Sequence, residues 1–252
     1  MKIKSFLLSV IILIIFGCSS NTQKPSHLRI GQFLFAKESV ELKFKKKDKI
    51  ILSKNLNYGD LTEYETISSG IYEVEVIYNE NLVLKKKIGI GTDGIYTLVM
   101  NGFPQQDQKK NQKTTKMKLH EIVEGEEAIY PNGNLPQMRI LNDEFECGKN
   151  EAKIRWIHLA AGVEKVNATA ETKDSKSTDL SSLTYPRITK NFTVSPKPQI
   201  LVWKLKGDKV EVSTKELNIK PDYLYTFFLI GNEEKYIDSL KVVVGETPKK
   251  EF

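Results

Sequence analysis

Ile71-Tyr72-Glu73-Val74-Glu75-Val76-Ile77-Tyr78 sets tyrosine or valine at every second position, with Glu73 and Glu75 between them. A period of two gives one apolar and one charged face, the pattern of a half-buried antiparallel strand. Shorter runs of the same kind stand on either side, at Leu28–Phe35, Val40–Phe44, Lys49–Ser53, Leu82–Ile88 and Ile95–Met100. Turn-forming clusters separate them: Lys45-Lys46-Lys47-Asp48, Ser68-Ser69-Gly70, Asn79-Glu80-Asn81 and Thr92-Asp93-Gly94. Many short strands joined by turns, with almost no helical periodicity, predict an all-β protein built as β-sandwiches.

The second half of the chain repeats the first in order. Leu28-Arg29-Ile30 returns as Ile154-Arg155-Trp156 at an offset of 126, and Leu56-Asn57-Tyr58 as Leu183-Thr184-Tyr185 at 127. Tyr96-Thr97-Leu98-Val99-Met100-Asn101-Gly102 returns as Tyr225-Thr226-Phe227-Phe228-Leu229-Ile230-Gly231 at 129. Nearly equal offsets indicate an internal duplication with small insertions, giving two tandem sandwiches rather than one barrel. Gln137–Asn142 matches Lys241–Val244 in character and is expected to be the last strand of the first copy. The first domain is therefore expected over 27–145, a linker over 146–151 and the second domain over 152–252. Residues 105–136 form an elaborated loop or hairpin found only in the first copy, and long irregular insertions of this kind are either functional or disordered.

At the N-terminus, Lys2 and Lys4 precede an unbroken apolar run from Phe6 to Phe16, then Gly17-Cys18. A positive start, an apolar middle shorter than a membrane span and a small residue at the cut are the parts of a secretory signal. Ile-Phe-Gly-Cys resembles a bacterial lipobox, which predicts a signal peptide over 1–17 and lipidation of Cys18. An ordinary cleaved signal peptide, with Cys18 a bystander, is the plainer alternative. Ser19-Ser20-Asn21-Thr22-Gln23-Lys24-Pro25-Ser26 has no large apolar residue and reads as a flexible tether over 18–26. Paired acyl chains hold a domain at a surface where one does so only marginally. The expected partner of this segment is thus the lipid bilayer, through acylated Cys18. Serine rather than aspartate after the cysteine favours the outer membrane of a bacterial cell envelope.

The formal charge, 38 minus 32 or +6, falls to +4 without Lys2 and Lys4, and the lysines are mixed with glutamates. No concentrated basic stripe is present, so nucleic acid is not an expected partner. With Cys18 committed to lipid, Cys147 stands alone and no disulfide is expected. No histidine or basic cluster near Cys147 in sequence would lower its pKa, so it is read as an unreactive thiol.

Ile154-Arg155-Trp156-Ile157-His158-Leu159-Ala160, then Ser182-Leu183-Thr184-Tyr185, then the Tyr225–Gly231 run, resemble the domain-of-unknown-function 4397 family. So do Asn55–Tyr64 and Ile67–Val76 of the first copy. The resemblance spans most of residues 27–245 and implies immunoglobulin-like or transthyretin-like β-domains, often in tandem in bacterial lipoproteins and exported proteins. The family's opening phrase, V-R-V-V-H-A-S-P-D-A, is half kept. His158 matches its histidine, Gln32 stands at that place in the first copy, and neither copy has the Pro-Asp-Ala. The family supplies no catalytic residue to carry over.

The motifs that suggest chemistry are weak. Gly89–Gly94 fits G-x-G-x-x-G, but a dinucleotide site needs a helix after it, and Ile95–Met100 reads as a strand. His27, His120 and His158 do not share metal spacing; His120 has Glu121, Glu124, Glu126 and Glu127 nearby, an arrangement better read as a solvated acidic loop. His158 shares a face with Ile154 and Trp156 and is expected to make a buried structural hydrogen bond. Trp156 and Trp203 lie in apolar strands and are expected in the core, with a sugar-stacking platform the alternative. No nucleophile elbow or paired carboxylates stand out. The expectation is therefore a non-catalytic envelope protein with no cofactor and no metal, binding an unidentified protein or glycan. A structural spacer in an envelope assembly is the first alternative, and a periplasmic hydrolase the second.

Overall fold

A computed structural model of the chain describes residues 24–104, 134–163, 165–172, 175–205, 211–214, 216–232 and 236–250. The expected signal peptide, Cys18, most of the tether and residues 105–133 of the insertion, with His120 and its glutamates, lie outside the described residues. Among the described residues every regular element is a strand, as the period-two pattern predicts.

The first eight strands are β1 (Ser26–Leu34), β2 (Val40–Lys46), β3 (Lys49–Leu56), β4 (Glu65–Ile67), β5 (Gly70–Tyr78), β6 (Asn81–Ile90), β7 (Ile95–Gly102) and β8 (Gln137–Asn142). The rest are β9 (Ala152–His158), β10 (Lys165–Thr172), β11 (Ser175–Thr184), β12 (Phe192–Val194), β13 (Pro198–Leu205), β14 (Glu211–Ser213), β15 (Leu217–Asn218), β16 (Tyr223–Asn232) and β17 (Tyr236–Pro248). The first half forms sheets of order β4-β1-β7-β8 and β3-β2-β5-β6; the second forms β12-β9-β16-β17 and β11-β10-β13-β14, with β15 also on β13. Each half is a β-sandwich, and the strand order repeats. In both, the first strand runs parallel to the last strand but one, β1 with β7 and β9 with β16.

Alternation explains the two cores. On β5 the apolar face, Tyr72, Val74, Val76 and Tyr78, packs with Leu28, Ile30, Leu42, Phe44, Leu98 and Met100. Glu73 and Glu75 turn outward and pair with Lys45 and Lys85 at 2.6–3.3 Å. In the second sandwich Trp156, Tyr225, Phe227 and Leu229 fill the equivalent space.

A third core lies between the sandwiches. The other faces of β1, β7, β8, β9 and β16 contribute Phe33, Val99, Leu141, Ile157, Phe228 and Ile230, and Leu159 follows β9. Phe33 and Phe228 meet with ring centroids 4.9 Å apart. Sheets β4-β1-β7-β8 and β12-β9-β16-β17 are therefore packed back to back, and the described residues stack four sheets deep. Burying a side chain of this size stabilises by roughly 1.5–3 kcal/mol, so this seam joins the sandwiches far more firmly than a short connection does.

The body has two distinct ends. At one, β1 and β7 begin and β8 finishes, in the registers His27↔Ile95 and Tyr96↔Asn142. At the other, Leu34 pairs with Gly102 and Asn101 with Gln137. The expected N-terminal tether would thus enter at the first end, and both stems of the 105–133 segment stand at the second.

Candidate functional site

At the tether end of the seam two arginines occupy matching places. Arg29 and Arg155, 3% and 4% exposed, project from β1 and β9 away from their own cores. Each donates through Nε to a threonine of its own sandwich, Arg29 to Thr97 Oγ1 at 2.7 Å and Arg155 to Thr226 Oγ1 at 2.9 Å. Each also crosses the seam: Arg29 Nη1 donates to the Glu246 carbonyl at 3.0 Å, and Arg155 Nη1 to the Asn142 carbonyl at 2.8 Å. The third donor separates the two sites. Arg155 Nη2 meets the fully buried Asp143 carboxylate, whereas Arg29 Nη2 meets the Thr247 hydroxyl at 3.2 Å and stands 3.9 Å from Asp143 Oδ2.

One carboxylate therefore serves two guanidiniums. Tyr64 compensates: its ring lies 4.6 Å beneath the Arg29 Cζ, and its hydroxyl donates to Asp143 Oδ2 at 2.7 Å. Thr97 Oγ1 donates to the same oxygen. Burial lowers the Arg29 pKa, with Arg155 adding to that fall and Tyr64 and Asp143 opposing it. Burial also raises the Tyr64 pKa, and Asp143 adds to the rise. Every charged group here is closed off from solvent and fully engaged, so the cluster is a clamp between sandwiches rather than a place for a substrate. Sequence reading missed it because both arginines alternate with core residues and so read as solvent-facing; their recurrence inside two repeat anchors was the available signal.

The insertion end is less uniform. Phe35, Tyr58 and Phe103, all half-buried, form an aromatic group, Phe35 edge-on to Tyr58 at 5.2 Å and to Phe103 at 5.8 Å. Lys241 of the second sandwich reaches over Tyr58, 5.2 Å from its ring centroid. The stem of the insertion is pinned beside them. The Phe103 amide donates to the Asn134 carbonyl at 2.8 Å, and Asn134 Oδ1 accepts from the Gly162 amide at 3.2 Å. Gly102, at φ +105°, is required here, because a Cβ would lie 2.3 Å from the Leu135 carbonyl oxygen. At the offsets of the repeat anchors, Phe35 and Phe103 correspond to Ala161 and Asn232. The aromatic group belongs to the first sandwich alone.

Tyr185, the counterpart of Tyr58, accepts a hydrogen bond from Asn101 across the seam at 2.8 Å and packs edge-on against His158 at 5.8 Å. Burial pushes its pKa up to about 12. His158 is buried as expected, at 1% exposure, with the Val163 backbone beside it as its hydrogen-bonding group, though neither ring nitrogen meets a partner at full hydrogen-bond geometry. Burial lowers its pKa to about 4, with the Val163 backbone opposing slightly. The imidazole is neutral at pH 7.

Gly89–Gly94 closes β6 and opens β7, a strand, as the context predicts. Ser26 holds the turn, donating to the Gly91 carbonyl at 2.6 Å and accepting from the Gly94 amide at 3.0 Å. His27 is exposed on β1. Trp156 is fully buried and stacks on Phe192 at 5.1 Å, a core residue and not a platform. Trp203 lies on β13. Cys147 is free and partly exposed; burial and the neighbouring Asp222 raise its pKa, which keeps the thiol protonated. Among the described residues no three His, Cys, Asp or Glu side chains are grouped to hold a metal.

No family model and no curated protein matches this chain. Among solved structures, a candidate cell adhesion protein from Bacteroides ovatus is similar over 91% of this chain and 99% of its own, at 8% identity and a TM-score of 0.25. The CBM26-family module of Eubacterium rectale Amy13K, solved with maltoheptaose, covers 89% and 98% at 8% identity and 0.25. The tip fimbrial protein Mfa3 of Porphyromonas gingivalis covers 89% and 99% at 9% identity and 0.24. Scores of this size reflect shared β-content and carry no argument about this chain's arrangement or ligand.

Proposed function

We propose that this chain is a lipid-anchored protein of the bacterial cell envelope that acts as a non-catalytic binding or adhesion module. In this reading residues 1–17 are its signal peptide, Cys18 carries the acyl chains, the outer membrane holds them, and the two sandwiches are tandem members of the domain-of-unknown-function 4397 family. The observation that carries it is the opposition of the two ends. The tether enters where β1 begins, and the insertion leaves where β7 finishes, eight strand residues away, or roughly 26 Å. A body of this shape holds the insertion and its aromatic base away from whatever holds the tether. The perturbed groups support binding over catalysis, since His158 is neutral and sealed and Cys147 stays a thiol.

The partner is a protein or glycan that meets the insertion end. Deleting residues 105–133 and joining Pro104 to Asn134 is expected to preserve the unfolding transition and to abolish capture of the partner from whole-envelope extracts. An unchanged capture profile overturns the binding role assigned to that end. The continuous seam favours one further reading, a rigid spacer within an envelope assembly. A spacer co-purifies with a membrane complex after detergent extraction even when the insertion is removed, whereas a binding module then runs alone.

A further inference from the structure

The tether end carries a second feature that neither the repeat nor the seam explains. The β2–β3 hairpin turns through Lys47 and Asp48, with Lys46 paired to Lys49. Its tip reads Lys45-Lys46-Lys47-Asp48-Lys49-Ile50-Ile51, and the residues from Lys47 to Ile51 are all exposed. Ile50 and Ile51 are 54% and 53% exposed, although one face of this sheet is already filled by the core. Lys47 and Asp48 both hold positive φ, 49° and 63°, where glycine or asparagine is the easier choice in a two-residue hairpin turn. Lysine is kept there against the backbone's preference.

Register brings a third isoleucine to the same corner. Lys46 Nζ donates to the Ser69 carbonyl at 2.8 Å, tying the hairpin to the turn that opens β5. Ile71 follows on the outer face, 70% exposed and opposite Gly89, whose missing side chain leaves open space. Lys87 stands exposed on the same outer face, opposite Glu73. The acidic groups that face this corner are Asp48 and Glu73, and Glu73 is already engaged by Lys85 at 2.7 Å. Among the described residues Lys47 and Lys49 have no carboxylate within ion-pair distance. Exposed aliphatic side chains among unpaired lysines match the two components of an anionic bilayer surface, acyl chain and phosphate.

The position agrees with that chemistry. Ser26, the first strand residue, pairs with Ile67, four positions before Ile71. Cys18 is eight residues upstream of Ser26, so the chain between them spans at most about 29 Å. We infer that the β2–β3 hairpin tip and Ile71 form a membrane-docking surface for anionic phospholipid. Ile50, Ile51 and Ile71 enter the headgroup region while Lys47 and Lys49 meet phosphates. The inference rests on the anchored reading for its geometry, but the surface is testable without it. Docking at this corner fixes the tilt of the body, which a tether alone does not.

The full exported protein is purified, its intact mass is read, and it is placed on vesicles of phosphatidylcholine alone or with phosphatidylglycerol. Amide exchange over residues 45–51 and 70–72 is then followed. Slower exchange on the phosphatidylglycerol vesicles alone, reversed at high salt and reduced at least about fivefold by Lys47→Glu with Lys49→Glu, is the expected result. Equal exchange on the two vesicle types overturns the inference, whether both are fast or both slow. If the intact mass shows no acyl chains, the anchored reading fails by itself. The same chain is then floated with the two vesicle types. Co-flotation with phosphatidylglycerol vesicles that is lost in Ile50→Asn with Ile51→Asn sustains the docking surface, and failure to float overturns it.

Discussion

The two sandwiches share a strand order but not a set of side chains, and the positions where they part are informative. Arg29 and Arg155 are kept, as are Thr97 and Thr226, because each pair holds the seam from its own side. Their acceptors have diverged: Asp143 in one sandwich stands where the other has Thr247. Gln32 in the first answers to His158 in the second, and Phe35 and Phe103 answer to Ala161 and Asn232. Gln32 satisfies its own strand, accepting from the Leu34 amide at 2.8 Å, whereas His158 has only the Val163 backbone beside it. The scaffold has thus been held constant while one sandwich gained an aromatic end and the other a buried imidazole.

The asymmetry at the seam is broken most severely at Asp143. Asp143→Ala removes the one carboxylate between two buried guanidiniums and takes an acceptor from the Tyr64 and Thr97 hydroxyls. A loss of about 3–5 kcal/mol is expected in urea denaturation. A loss no larger than that of Thr247→Val would mean that the two sites are equivalent after all.

His158 against Gln32 gives the next largest effect. The folded-state pKa of His158 lies near 4, below the roughly 6.5 of an unfolded chain. Between those values the unfolded chain binds more protons, so stability falls as pH drops from about 6.5 to 4. About 3 kcal/mol is lost in full below that window. His158→Gln, which borrows the first sandwich's residue, is expected to flatten this part of a stability profile measured from pH 7.5 to 4. A wild-type profile level across the window would mean that the imidazole is not buried as described.

Thr247→Val is the mildest. It removes a neutral acceptor from Arg29 and a partner of the Tyr64 hydroxyl, and about 1 kcal/mol is expected. The ratio of this loss to that of Asp143→Ala measures how unequally the seam's two charges are held.

The fold was readable because alternation reports burial on one face, and strands such as β5 have one face in the core and one in water. The seam was not, because the same rule assigns the second face to solvent. Arg29 between Leu28 and Ile30 looks exposed until another sheet covers it. A clearer signal lay in Tyr225–Ile230, where Phe227 and Phe228 are adjacent and both fully buried. A strand apolar on both faces announces a layer on each side, and alternation is what such a strand lacks. The insertion-end aromatics were hidden for another reason. Phe35, Tyr58 and Phe103 are far apart in sequence and are gathered by the parallel pairing of β1 with β7 and by the bonds of Gly59 and Asp60 to Gln32 on β1.

That pairing also sets an order of events. His27 on β1 stands beside Ile95 on β7, and Lys153 on β9 beside Leu224 on β16, so the parallel partner of each first strand lies some seventy residues later. Arg29 waits longer still, since its carbonyl partner is 217 residues away at Glu246. Contacts this distant make for slow closure. A chain delivered N-terminus first therefore pairs β1 with β4 before β7 is made, and Arg29 gains its partners across the seam only when β17 arrives.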